Sequence, residues 1–502
     1  MVEKVSKGIE KINDHVNIAR DSEKKQRSLS NFHRKGGWGK RTVWTATAHA
    51  FTAIVGSGIL ALPWSVAQLG WILGPFFLLF FAAVTYYIAI LLCDCYRTPD
   101  PVKGRRNYTY MDAVRALLGP KHVLISGIMQ YSMLWGIIIG FTITAAISAA
   151  TMKRSTCFHE KGPSAKCGVS GISYMLAFGA LEILLSQFPN LEKVTFLSVI
   201  ATLTSLAYAL IALCLSITKF SIQHEAKGTI MVAMAGEGLA TSTKIWRVFQ
   251  ALGNIAFSYT YSMLLLEIQD TLKSPPAENK AMKRVTLYAI GGTALFYTSL
   301  GCMGYAAFGA DAPGNYLTGF YKPLWLVDIA NLAVIIHLIV GYQVVFYHNL
   351  NSVGEFMLLH LLCSDCYVLS VLATRWQAPG SFFNKIYTVR FQCIQNYSFQ
   401  LTPSRILLRT GFVVLTTLVA MLFPFFNAIL GLLGSISFWP LTVYFPLNMY
   451  MVQAKIKRGN STWIMFQVLS LLCLVVSLVS AVGSVADILE HLKHAQLFHI
   501  DL

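Results

Sequence analysis

Charge is scarce in this chain: only 13% of its residues are Asp, Glu, Lys or Arg, and the acids number 23 against 40 bases. So few charges cannot wet the surface of a water-soluble domain of this size. The apolar runs also lack the alternation of polar and apolar faces that a soluble helix or strand displays: "WILGPFFLLFFAAVTYYIAILL", residues 71–92, is apolar all round. A nucleotide-cradling G-x-x-x-x-G-K-[ST] loop is missing, as is a polar domain large enough to carry one, which excludes primary pumping. No His, Asp, Glu or Cys cluster stands at a catalytic spacing, which argues against an enzyme. The first 41 residues are polar and basic and contain no apolar core of a cleaved signal peptide. They read as a cytoplasmic, disordered tail.

What the chain has in abundance is hydrophobic length. Of its 502 residues 55% are hydrophobic, and the mean hydropathy is +0.56. Apolar runs between polar breaks predict spans at 42–70, 71–96, 122–150, 172–190, 194–218, 245–268, 285–309, 324–347, 407–426, 428–451 and 463–488. The fold class is therefore an all-α integral membrane protein with about eleven transmembrane helices. The formal net charge of +17 is concentrated in the tail and in alternate loops, 97–121, 269–284 and 454–460, so it marks the cytoplasmic side and not a nucleic-acid partner. The domain map is a tail over 1–41, a transmembrane domain over 42–488 and a short extracellular tail over 489–502.

Most of the ten cysteines lie in apolar runs, where they read as small packed hydrophobes. Cys157 and Cys167 differ, because both fall in a predicted outer loop; the choices there are a disulfide, free thiols, or a metal site with His159. Asn107, Asn396 and Asn460 open glycosylation sequons, but all three fall in predicted inner loops and are expected to stay bare. Residues 355–374 are nearly span-length, yet counting them as a span reverses the positive-inside pattern downstream; they read as an interfacial or re-entrant piece. The C-x-x-C at Cys363 and Cys366 has no redox-fold or zinc-site context.

Two of the spans carry helix-breaking residues near their centres. In hydrocarbon an unsatisfied backbone group is costly, so a helix unwinds there only beside a cavity or a ligand. Gly56, Ser57 and Gly58, with Pro63 a turn later, sit in the middle of the first span. Absent side chains let N–H groups approach a ligand, and the half-helix that follows presents its positive end, a combination suited to a carboxylate. A small-residue packing face is the alternative reading. The sixth span repeats the pattern with Gly253, Asn254 and Ser258 at its centre and Glu267 and Asp270 at its end. Interruptions five spans apart fit a five-plus-five inverted-repeat transporter fold with broken helices one and six.

A coupling ion needs buried ionisable groups, and the spans contain His49, Glu182, Asp328 and His337. Imidazole titrates near physiological pH, so His49 and His337 are the natural proton carriers, while Glu182 and Asp328 read as lying near the membrane interfaces. No metal and no cofactor is expected; protons are the coupling ion.

The strings "TVWTATAHAFTAIVGSGILALPWSVAQLGWILGP" (42–75), "RNYTYMDAVRALLG" (106–119), "LEIQDTLKSPP" (266–276), "GYAAFGADAPGNYLTGF" (304–320) and "GSISFWPLTVYFP" (434–446) resemble the plant amino acid permeases of the amino acid/auxin permease family. The loop around Cys157 and Cys167 agrees with it. The resemblance implies a proton-coupled symporter for neutral and acidic amino acids at the plasma membrane, with the architecture of the amino acid–polyamine–organocation superfamily. It carries the substrate carboxylate to Val55, Gly56, Ser57 and Gly58. The ammonium and side chain fall to a second break over 253–260, where Gly253, Asn254, Phe257 and Ser258 stand. Carriers of other carboxylates such as auxin, and a sensor that binds without transporting, are the rival expectations. Such permeases often have Asp where this chain has Asn254, and after Tyr342 and Gln343 the sequence departs from the family pattern over an atypical insert near 346–374.

Overall fold

Thr42 opens the first helix by accepting the Thr45 N–H on its hydroxyl at 3.3 Å, which satisfies one of the donors every helix start leaves over. From there the chain, described here from a computed structural model, is built almost wholly of helices. The structure describes residues 41–162, 167–188, 195–230, 241–361, 387–390, 398–401 and 403–494. The tail over 1–40, residues 362–374 of the atypical stretch with its C-x-x-C, Asn396 and the last eight residues of the chain lie outside the described residues.

α1 (Val43–Ile54) ends at Val55, and after one extended residue the chain re-enters a 3-10 turn (Ser57–Ala61) that runs into α2 (Leu62–Asp94). Within α2 the axis changes at Gly70, whose φ of 81° is a conformation that glycine alone adopts without strain. That kink coincides with the boundary between the first two predicted spans. The loop expected over 97–121 carries more structure than its polarity suggested: strands β1 (Arg97–Thr98) and β2 (Arg105–Arg106) pair antiparallel, and α3 (Tyr110–Leu118) follows. A reciprocal capping box explains the helix, with Asp112 N–H donating to Thr109 Oγ1 at 3.1 Å and Thr109 N–H to Asp112 Oδ2 at 3.3 Å.

Then come α4 (Pro120–Lys161), α5 (Gly171–Ser186), α6 (Thr195–Gln223), α7 (Thr241–Ser258), α8 (Ser262–Asp270) and α9 (Glu278–Phe308). α10 is Leu324–Leu361, so it does not stop near 347 as the hydropathy predicted; its helical backbone continues into the atypical stretch. β3 (Tyr387–Arg390) and β4 (Ser398–Leu401) form a second hairpin. α11 (Pro403–Leu422) and α12 (Phe426–Ser437) follow, then a π turn (Phe438–Tyr444), α13 (Phe445–Gln453) and α14 (Ser461–His494).

Seven helical segments among the described residues are long and apolar enough to cross a membrane, including Ser57–Asp94, Pro120–Lys161 and Ser461–Lys493. Gly171–Ser186 and Ile406–Leu422 are shorter apolar helices. Large apolar side chains such as Leu203, Leu295, Val468 and Leu471 are more than half exposed on the outside of the bundle, where a bilayer and not water is the compatible solvent. The interior is packed around α2, α4, α7 and α9, with α7 held between α12 and α14.

Candidate functional site

The first interruption is narrow. Val55 N–H donates to Phe51 O at 2.8 Å and Gly56 N–H to Ile54 O at 3.0 Å, and the next backbone bond is Ile59 N–H to Gly56 O at 3.3 Å. Among the described residues the N–H groups of Ser57 and Gly58 have no backbone acceptor. They stand at the start of the segment that becomes α2, where the helix dipole adds positive potential. Both residues are buried, and nothing lies within 4 Å of where a Gly56 Cβ would project.

The second interruption lies later than the sequence predicted. Helical geometry continues without a gap through Gly253, Asn254 and Phe257 to Ser258, and the break is confined to Tyr259–Tyr261. Gly253 is used for close approach instead: a Cβ there would collide with Gly431 O, while Gly434 is pressed equally hard against Gly253 O and Phe257 N. Three glycines thus let α7 and α12 touch backbone to backbone, a packing device common between membrane helices. Asn254, in the same contact, is fully buried, and both its side-chain polar atoms lack partners.

The two interruptions meet. A Cβ on Gly58 would lie 2.8 Å from Ser258 Oγ and 3.0 Å from Phe257 Cδ1, so the absence of a side chain is what brings the first break against the end of α7. Ser258 Oγ donates to Asn254 O at 3.0 Å, which turns its side chain back along its own helix. Tyr297 of α9, missed in the sequence because it sits unmarked in an apolar run, joins them: its hydroxyl is 2.8 Å from Ile54 O and 3.5 Å from Ser258 O. The Tyr259 ring packs edge-on against it at 5.4 Å.

The histidines are not brought together. His49 is half-buried on α1, whereas His337 is buried on α10 with Nδ1 3.0 Å from Ala201 O of α6 and its ring 5.7 Å from that of Tyr208. The adjoining Thr202 Oγ1 lies 3.4 Å from Thr52 Oγ1, so α6 connects the His337 environment to the first half-helix. Glu182 is completely buried within the bundle, while Asp328 is partly exposed. Cys157 and Cys167 are joined by a disulfide, with Cα atoms 6.1 Å apart. Beside it a cavity of ≈ 750 Å³, set apart from both breaks, is lined by Arg154, His159, Lys219 and Lys322 among others.

At the end of the bundle that holds β1 and β2, the polar groups interlock. Glu278 accepts from Arg97 at 2.8 and 3.3 Å and from Arg106 at 2.8 Å, and Asp94 accepts from Lys283 at 2.7 Å and Asn279 at 2.9 Å. Tyr96 donates to Asp270, the last residue of α8, at 2.5 Å; burial and the neighbouring carboxylate push its phenol above the usual range and keep it a donor. Arg41 forms an isolated bridge there too, its N–H donating to Thr271 O and its O accepting from Lys273 N–H, each at 3.2 Å.

A multi-pass helical bundle in which two interrupted helices abut at a buried point, one with free N–H groups, has the build of a membrane transporter. The chain belongs to the transmembrane amino acid transporter protein family, whose model matches residues 39–490. It is 47% identical over 436 residues to Amino acid permease 8 of Arabidopsis thaliana, covering 86% of this chain and 88% of that protein. To Amino acid permease 4 of the same plant it is 48% identical over 439 residues, covering 86% and 90%. Its fold is similar to the crystal structure of MhsT in complex with L-phenylalanine, with a TM-score of 0.52 at 10% identity over 89% of this chain and 99% of that one. The family is one of amino acid transporters and not of enzymes.

Proposed function

We propose that this protein is a proton-coupled symporter that imports neutral and acidic amino acids across the plasma membrane by alternating access. In this reading it crosses the bilayer about eleven times. The segment before residue 42 lies inside and the end of the chain after 488 outside, with the atypical stretch 346–374 on the inner side. Helices one to five and six to ten are inverted repeats around the two breaks.

The observation that carries the proposal is the contact of Gly58 with Phe257 and Ser258 beside the open space at Gly56. The substrate carboxylate is bound by the Ser57 and Gly58 N–H groups, assisted by about half a unit of positive charge at the helix start. Val55 and Gly56 form the adjacent wall. The carbonyls exposed at the second break receive the ammonium, and Phe257 and Ser258 bound the side chain. Gly253 fixes the distance of α7 from α12, and the unpartnered amide of Asn254 supplies polar atoms for substrate or water. His49 and His337 carry the coupled proton, the second acting through α6.

Uptake of labelled proline, glutamate and lysine into yeast stripped of its own amino acid permeases tests this, with surface expression checked. Proton symport predicts accumulation that rises at acidic external pH and collapses with a protonophore. Surface-expressed protein that accumulates none of them overturns the proposal.

A further inference from the structure

Glu182 of α5 is 0% exposed, and its hydrogen-bond partner among the described residues is Gln343 of α10, whose Nε2 donates to Oε2 at 2.5 Å. The remaining oxygens of the pair, Glu182 Oε1 and Gln343 Oε1, are both buried without a partner. Two acceptors left over in one side-chain pair lack one thing, a hydrogen to share.

We propose that Glu182 is a membrane-buried proton-binding site, held as the neutral acid in a reciprocal pair with Gln343. A proton on Oε1 turns the carboxyl into a donor to Gln343 Oε1, while Gln343 Nε2 continues to donate to Oε2, and both orphaned oxygens are satisfied by one hydrogen. Turning the amide over does not remove the demand, because its oxygen would then face Glu182 Oε2 and require a proton between them. The ionised alternative leaves a full negative charge in an apolar interior with a single neutral donor.

Among the described residues no Lys, Arg or His pairs with Glu182. α5 packs against α4, α10 and α11. Between Val123 and Met152, α4 has no Asp, Glu, Lys, Arg or His, and its only titratable side chain there is Tyr131. α10 contributes Tyr342, whose hydroxyl lies 3.1 Å from Thr416 Oγ1, and further along His337, which is bonded to Ala201, and Asp328; the side chains of its Tyr347, His348, Glu355 and His360 lie outside the described residues. α11 contributes Arg409, which donates to Ser186 O at 2.5 Å, one turn beyond Glu182, and Arg405, whose side chain lies outside the described residues. Tyr174 is the only other titratable side chain of α5. As pH rises, loss of the proton on Glu182 puts a charge into the joint between α5 and α10 that no described cation pairs with.

Infrared difference spectroscopy of the purified full-length protein in lipid vesicles tests the site directly. At neutral pH the wild type shows the carbonyl band of a protonated carboxylic acid, shifted by deuterated water and absent from Glu182→Gln. Gln343→Leu moves that band to the frequency of an unbonded acid. In uptake assays Glu182→Gln, which reproduces the neutral pair with an amide, shows a shallower alkaline decline than wild type, and the decline that remains is the loss of the proton driving force carried by His49 and His337. Absence of an acid band attributable to Glu182, or an alkaline decline unchanged in Glu182→Gln, overturns the proposal. The uptake arm rests on proton-coupled transport and the infrared arm does not, so the two readings fail separately.

Discussion

The hydroxyl of Tyr297 lies 2.8 Å from the carbonyl oxygen of Ile54 and 3.5 Å from that of Ser258, so one side chain of α9 touches the last turn before each interruption. Both carbonyls belong to turns whose helical partners are lost at the breaks. A buried hydroxyl is the replacement that the chain provides.

Tyr297→Phe keeps the ring packing on Tyr259 and removes only this bond. A single neutral hydrogen bond contributes about 1 kcal/mol net, equivalent to roughly a fivefold change in an equilibrium or a rate. Uptake kcat/KM, normalised to surface protein, is expected to fall by about that factor with little change in expression. Wild-type kinetics in Tyr297→Phe would show that the bond does not position the breaks.

Gly58 and Gly56 are two residues apart but differ in tolerance. Gly58→Ala places a methyl against Ser258 Oγ and Phe257, and overpacking of this kind typically costs about 1–3 kcal/mol. The double variant Gly58→Ala with Ser258→Gly relieves the collision and is expected to recover part of the lost uptake. Gly56→Ala meets nothing within 4 Å, so it is expected to express normally and to raise the substrate KM by reducing the open space. Measuring expression and KM side by side for the three variants separates the two effects.

Asn254→Asp tests what the orphaned amide does. A carboxylate there has no cationic partner among the described residues, so it takes up a proton or attracts a cation. The ratio of lysine to glutamine uptake is expected to rise, and the change to grow with external pH as the new carboxyl ionises. An unaltered ratio across pH would place Asn254 away from the substrate.

Glu278→Gln removes the carboxylate that receives both Arg97 and Arg106. Glu278 is 5% exposed against 16% and 38% for the arginines, so its loss is expected to lower stability by roughly 2 kcal/mol, the scale of a partly screened charged hydrogen bond. Thermal unfolding in detergent measures it. Uptake initial rates change as well if this network closes one end of the path, whereas a purely structural role leaves the per-molecule rate intact.

The first break was legible because Gly-Ser-Gly in the middle of an apolar run has few uses other than unwinding or close packing, and here it does both. The second was misplaced for the same reason. Gly253 and Asn254 attracted attention as breakers, yet Gly253 serves the backbone contact with Gly431, and the real break, Tyr259–Tyr261, contains no glycine or proline. Residue type marks a break only when packing does not require the same residue. Tyr297 and Gln343 gave no signal, since their importance depends on what lies opposite them in space. Glu182 was visible as an ionisable residue in a span, but its depth was not, because hydropathy along one helix says nothing of the neighbours that cover it. The helix over Tyr110–Leu118 was announced by Thr109 and Asp112, three residues apart, though the polarity of the loop around it concealed the fact.

The bridge between Arg41 and the segment Thr271–Lys273 makes a mechanical linkage. Residue 41 stands two positions before α1 and Thr271 one position after α8, so the start of the first interrupted helix and the end of the second share a single pair of backbone bonds. Tension applied to the chain ahead of residue 41 is transmitted to both at once, like a cord tied to two levers. A load on that leading segment therefore reaches both interrupted helices together.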